Sequence, residues 1–278
     1  MTSSSHSSIT TLPAPKPNSR PWYHPTISPE HGVYVVLLVS FLLGAAAAVQ
    51  WTWATTLALI CAVCGFQAEH PLIVQLKQRR KAKPRLLFWG SLYAGVALAI
   101  ALYLYWQQGE VLLPLLGIYI GAIAALGMDA VSVFYRQQRS ILNELMTFFA
   151  VCLSAPFAYV VTTGTMSASV VGLWLLNGLF FSSSIFTLKL RKHKHHSIIS
   201  SLVYHAIASF VILGLWAIGW LCSMVALTFG VALLKFGIIL WRKDWYCTTK
   251  IQFVALLETT MSFLFLVMTA LSLLPAYI

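Results

Sequence analysis

Nine apolar segments alternate with polar loops along this 278-residue chain, and every Lys and Arg outside those segments falls in alternate loops. Few folds are open to such a chain. A bilayer core takes about 20 apolar residues per crossing helix. Lipid offers no partner to a bare peptide group, so only helices and closed barrels cross it. The apolar runs here are continuous and lack the alternation of a barrel strand. The composition agrees: 59% of residues are hydrophobic and 9% charged, against about 25% charged in soluble domains. The fold class read from the sequence is an all-α polytopic membrane helical bundle.

The crossing segments are expected at about 29–49, 51–72, 86–106, 111–134, 141–162, 168–188 and 251–274, with the long run 198–241 split near Gly219 into two. Ser28 is expected to cap the first helix, with Pro29 at its first position and Glu30 near the positive end of the dipole. The second helix is expected to stop near Pro71. Residues 1–28 are rich in Ser, Thr and Pro, hold no acidic residue and lack the apolar core of a signal peptide. They are predicted to be a disordered cytosolic tail, leaving 29–278 as one transmembrane domain.

The basic residues set the orientation. Lys16 and Arg20 lie in the tail. Lys77, Arg79, Arg80, Lys81, Lys83 and Arg85 follow the second segment. Arg136 and Arg139 follow the fourth, Lys189, Arg191, Lys192 and Lys194 the sixth, and Arg242, Lys243 and Lys250 the eighth. The intervening loops carry none. Under the positive-inside rule, the N-terminus is cytosolic and the C-terminus outside. The net charge of +11 is thereby a topology signal, and nucleic acid is not expected as a partner. Trp51, Trp53, Tyr105, Trp106, Trp241, Trp245 and Tyr246 sit near segment ends as interfacial belts do. The cysteines, at 61, 64, 152, 222 and 247, read as small packing residues.

Charge inside a bilayer is costly, so each such residue is a candidate for function. Glu30, His31, Glu69, His70, Asp129, Asn143, Glu144, His205, Lys235 and Glu258 all fall in the cytosolic third by depth. Lys189 and Arg191 lie at the same end. Little beyond Asn177 and hydroxyl residues occupies the rest. The arrangement suits a polar site facing the cytosol over a dry body, with the head of an amphipathic molecule meeting the cluster. Glu258, His205 and Glu144 are the candidate catalytic acids or bases. Lys235, His70, Glu69, Asp129, Asn143, Glu30, His31, Lys189 and Arg191 are candidate ligand contacts. Each has a plainer reading. Glu30, Glu69 and Glu144 also suit hydrated interfacial or capping positions. Lys235 either snorkels to the headgroups or pairs with Glu258 at matching depth, as a structural or a catalytic pair. His205 is a core hydrogen-bonding residue or a base. The run Lys192–His196 is at best a weak metal or headgroup contact, and no metal site is expected.

Short motifs carry a resemblance. Pro29-Glu30-His31-Gly32 opens the first segment, Asn143-Glu144-Leu145 precedes Ser154-Ala155-Pro156, Ser184 to Arg191 leaves the sixth segment, and Tyr204-His205 lies in the seventh. Over about 29–205 these resemble the YwiC-like family of bacterial membrane proteins. That implies a bacterial cytoplasmic membrane, or a thylakoid in a cyanobacterium, and no activity. The architecture is also similar to the UbiA-type intramembrane prenyltransferases. Those hold Mg²⁺ against an isoprenoid diphosphate with two Asp-rich motifs. At the corresponding places this chain reads Gln67-Ala68-Glu69-His70-Pro71 and Ile185-Phe186-Thr187-Leu188-Lys189-Leu190-Arg191, neither with an Asp. Mg²⁺ stays open as a cofactor without its usual ligands. An anionic head would have to be neutralised by Lys189, Arg191, Lys235 or His70.

Three functions follow, in descending order. The first is a lipid- or isoprenoid-modifying enzyme, prenyltransferase-like without the Asp-rich motifs. The second is a scaffold or assembly factor binding an isoprenoid, quinone or pigment. The third is a small-solute transporter, which would favour polar residues through the full depth and internal repeats.

Overall fold

The computed structural model describes residues 23–78, 83–107, 112–135, 140–192 and 198–274. Among these residues all regular structure is helical. The order is α1 (His31–Ala47), α2 (Trp53–Gln78), α3 (Pro84–Gln107), α4 (Leu112–Phe134), α5 (Ile141–Cys152), α6 (Ser154–Thr163), α7 (Ala168–Lys192), α8 (Ile198–Ala217), α9 (Ser223–Leu227), α10 (Gly230–Trp241), α11 (Lys243–Thr248) and α12 (Ile251–Ser272). With α5 and α6 joined as Ile141–Thr163 and α9 and α10 as Ser223–Trp241, eight helices among the described residues are long and apolar enough to cross a membrane. The shorter α1, 17 residues, spans about 25 Å at the usual rise and corresponds to the remaining segment. The chain is a multi-pass helical membrane protein.

Four boundaries differ from the sequence reading, each for a local reason. The first helix begins at His31, with Glu30 at the N-cap and no side-chain cap. The Ser28 hydroxyl accepts from the Glu30 N–H at 3.4 Å, on the residue before the helix, while its own N–H donates to Gln67 Oε1 on α2 at 3.2 Å. Pro71 does not end α2, which runs on to Gln78. Proline in a helix forfeits one backbone bond and crowds the preceding turn, but Pro71 is buried and lies beside Gly90 of α3, where a larger residue would press on Pro71 and Leu72. The fifth segment is broken at Leu153 between α5 and α6, three residues before Pro156, which has no N–H to donate. Finally, the basic stretch after the eighth segment folds as the short helix α11. The break near Gly219 is where it was expected, and that glycine has φ +78°.

Helix α1 is central and packs on α2, α5, α6, α7 and α12. Hydrophobic burial gives no drive for helix association in lipid, so close approach of small residues matters more. Gly44 supplies it: a Cβ there would collide with the backbone carbonyl of Ala155 on α6. Val39 and Leu43 of α1 join Leu176 and Phe180 of α7 and Phe265 of α12 in one buried cluster. Phe41 of α1 faces a second with Ala58, Phe157 and Ala158. Helices α3 and α4 flank this body and turn leucines, isoleucines and aromatics outward. Trp53, Trp106 and Trp241 are among the most exposed side chains, at helix ends where amphipathic rings favour an interface.

Candidate functional site

Side-chain contacts gather the basic ends of the helices. Lys189 of α7 pairs with Glu144 of α5 at 2.8 Å. Asn143 of α5 donates to Asp129 Oδ1 of α4 at 3.0 Å. The Arg85 guanidinium donates to the carbonyls of His24 and Pro25 at 2.8 and 3.0 Å, pinning the residues before α1 to α3. Arg191 reaches from α7 to the carbonyls of Tyr246 and Thr249 at 2.9 and 2.7 Å. Those carbonyls belong to the C-terminal end of α11, where orphan acceptors otherwise stand unsatisfied. Tyr246 itself is fully buried, and burial pushes its phenol pKa up, with the nearby Glu258 carboxylate adding to the effect.

The most developed polar arrangement lies where α7, α10 and α12 meet. Lys235 of α10 is 1% exposed, too deep to be snorkelling. Its Nζ donates to Glu258 Oε2 of α12 at 2.9 Å and to Ser184 Oγ of α7 at 3.0 Å. Ser184 in turn donates to the same Glu258 oxygen at 2.7 Å. The ammonium also sits 5.5 Å from the centroid of the Phe180 ring, within cation–π range, and Phe180 stacks on Phe265 at 3.9 Å. Helical spacing builds this. Phe180, Ser184 and Thr187 share one face of α7, and Glu258, Ser262 and Phe265 share one face of α12. Ser184 and Glu258 are only partly buried. Glu258 Oε1 is buried and has no hydrogen-bond partner among the described residues.

His205 of α8 stands beside this group. Its ring lies flat on Phe236, the neighbour of Lys235, with centroids 4.1 Å apart and planes at 9°. Its Nδ1 is 2.7 Å from the Ser201 carbonyl. A carbonyl can only accept, so Nδ1 carries a proton, and in the neutral imidazole Nε2 is then a bare acceptor. That nitrogen is buried without a partner among the described residues.

The remaining candidates are placed apart from these. Glu69 of α2 lies within electrostatic reach of Asp129 and Glu30, and His70 within reach of Glu30 and Lys77. Glu30 and His31 are exposed at the start of α1. Glu144, Lys189 and Arg191 are engaged as given above. An apolar recess of about 390 Å³ between α2 and α4 is lined by Leu72, Gln75, Leu76 and Phe134, and by none of the candidates. Among the described residues no group of three or more His, Cys, Asp or Glu side chains is disposed to hold a metal ion. The cysteines are free, Cys61 and Cys152 buried. Of the Lys192–His196 run, 193–196 and the Lys192 side chain lie outside the described structure, as do residues 1–22 of the expected tail.

The sequence reading passed over Ser184 as a site residue, and with it Phe180 and Phe236. A signal was available: Phe180, Ser184, Thr187 and Arg191 recur at the spacing of one helix face, the most polar stripe of an otherwise apolar segment.

The first half of the chain carries a family signature. Residues 27–159 match the YwiC-like protein family. The matched segment holds Pro29 to Gly32, Asn143 to Leu145 and Ser154 to Pro156. No curated protein and no solved structure matches the chain. The YwiC-like match therefore covers the Glu69, Asp129 and Glu144 region, while Ser184, His205, Lys235 and Glu258 lie beyond it.

Proposed function

We propose that this membrane protein binds an amphipathic lipid, isoprenoid or quinone-like molecule, its polar head at Ser184, Lys235 and Glu258 and its tail along the apolar flanks. The observation that carries the reading is Glu258. Two donors hold one of its oxygens, while the other is buried without a partner among the described residues, and an unpaired buried acceptor is costly unless something donates to it. Ser184 and Glu258 keep partial exposure at the seam of α7 and α12, which offers a lateral way in from lipid. The confinement of the basic residues to alternate loops supports an orientation with this basic end in the cytosol. A bacterial cytoplasmic membrane, or a thylakoid, fits the family resemblance. In an enzyme acting on the bound molecule, Glu258 would take or give the proton and Lys235 would steady developing negative charge. An assembly factor would use the same contacts without turnover.

The test is to purify the protein in mild detergent and identify co-purifying lipids by mass spectrometry, beside Lys235→Ala, Glu258→Gln and Ser184→Ala variants shown to be folded. One lipid enriched with the wild type and depleted from the variants supports the reading. Bulk phospholipid in equal amounts in all four samples removes it.

A further inference from the structure

Resting on that binding reading, we infer that the head recognised at Ser184, Lys235 and Glu258 is a neutral hydrogen-bond donor, an alcohol or phenol, rather than an anionic phosphate or diphosphate. Among the described residues, three of the cations at this end of the bundle are already engaged. Lys235 is neutralised by Glu258 at 2.9 Å, and Lys189 by Glu144 at 2.8 Å. Arg191 spends its guanidinium on two backbone carbonyls of α11 and its exit. A diphosphate brought to Lys235 would have to displace Glu258 or lie against its carboxylate, and like charges at that range repel strongly in a low-dielectric site.

The atoms left over point the same way. With Lys235 and Ser184 both donating to Oε2, an ion-paired Glu258 presents Oε1 as a bare acceptor. His205 presents a second, Nε2, because its Nδ1 proton is committed to the Ser201 carbonyl. The Ser201 hydroxyl, one turn before His205, also has no partner among the described residues and rotates to serve either role. A hydroxyl on the ligand completes either acceptor. A carbonyl or an ether oxygen completes neither. Donation to a charged acceptor is among the stronger hydrogen bonds, and a site built around a ligand hydroxyl rejects the analogue that lacks it.

The test compares three probes that share one tail: farnesol, farnesyl methyl ether and farnesyl diphosphate. Their binding to the purified wild-type protein is measured by native mass spectrometry in mild detergent. The expected order is farnesol tightest, with the methyl ether at least about tenfold weaker and the diphosphate weaker still. In Glu258→Gln and His205→Phe the preference of alcohol over ether should shrink severalfold in at least one variant. Equal binding of alcohol and ether by the wild type, or a preference for the diphosphate, overturns the inference and leaves the lipid site standing. Binding of none of the three, together with no enriched co-purifying lipid, removes the site and the inference together. The wild-type comparison decides the matter even where a variant fails to fold.

Discussion

Lys235 Nζ and Glu258 Oε2 stand 2.9 Å apart between α10 and α12, the lysine 1% exposed and the glutamate side chain 18%. A pair this deep couples stability to chemistry. Removing one partner leaves an uncompensated charge, which in soluble proteins costs about 3–5 kcal/mol, whereas removing both can be near neutral. Lys235→Met should therefore lower thermal stability in detergent sharply, and Lys235→Met with Glu258→Gln should recover most of the loss. Losses that simply add in the double variant would mean that the two side chains do not act as a pair.

Glu144 and Lys189 form the other ion pair at this end, 2.8 Å apart with side chains 29% and 19% exposed. Pairs this accessible are usually worth under about 1 kcal/mol. Glu144→Gln should shift the melting temperature little and leave any co-purifying lipid in place. Loss of the lipid from a stable Glu144→Gln protein would move Glu144 from a strut between α5 and α7 into the site.

Hydropathy and charge made the crossing segments and the Gly219 break legible, because both are properties of a single segment in lipid. What depends on a neighbour was not legible. Ser28 is tied to α2 through its N–H on Gln67, and its hydroxyl accepts from Glu30 rather than from the first turn of α1. Helix α2 passes through Pro71 because α3 packs beside it. The six-residue α11 is too short for a hydropathy signal, and its end is held from a distance by Arg191. Depth alone suggested that Lys235 and Glu258 meet, and they do. Depth did not bring in Ser184, because a hydroxyl costs too little in a helix to stand out, and the pairing of α7 with α12 does not follow from their order along the chain. Depth also overstated the gathering of the rest: Asp129 and Glu30 lie within electrostatic reach of Glu69 on α2, while Ser184, Lys235 and Glu258 meet on α7, α10 and α12.

Arg191 donates to two carbonyls through two different nitrogens, a fork that lysine cannot reproduce. Arg191→Lys should loosen α11 while leaving the crossing helices intact. Faster amide exchange confined to residues 243–250 is the expected readout. Unchanged exchange there would show that the buried Tyr246 alone holds the helix.

Gly44 faces the Ala155 carbonyl so closely that no side chain fits, and the obstructing atom is backbone, which cannot turn aside. Gly44→Ala should destabilise by about 1–3 kcal/mol, the usual cost of overpacking, by pushing α1 from α6. Gly32, with nothing near its missing side chain, provides the control: Gly32→Ala should be close to neutral. Equal behaviour of the two variants would argue that α1 and α6 approach less closely in the membrane.

The orientation is open to a direct measurement. The loops after the second, fourth, sixth and eighth segments hold the basic residues, and the contacts of Lys189, Arg191, Asn143 and Arg85 draw the same helix ends together. If that face is cytosolic, an odd number of crossings puts the C-terminus on the opposite side. Alkaline phosphatase fused after Ile278 should be active in a bacterial host, and the same enzyme fused within the 193–197 segment should be inactive. Activity at 193–197 would invert the bundle. Inactivity at both positions would mean an even number of crossings between the start of α8 and the C-terminus, which the path through α8, α9–α10 and α12 does not allow unless one of them fails to cross.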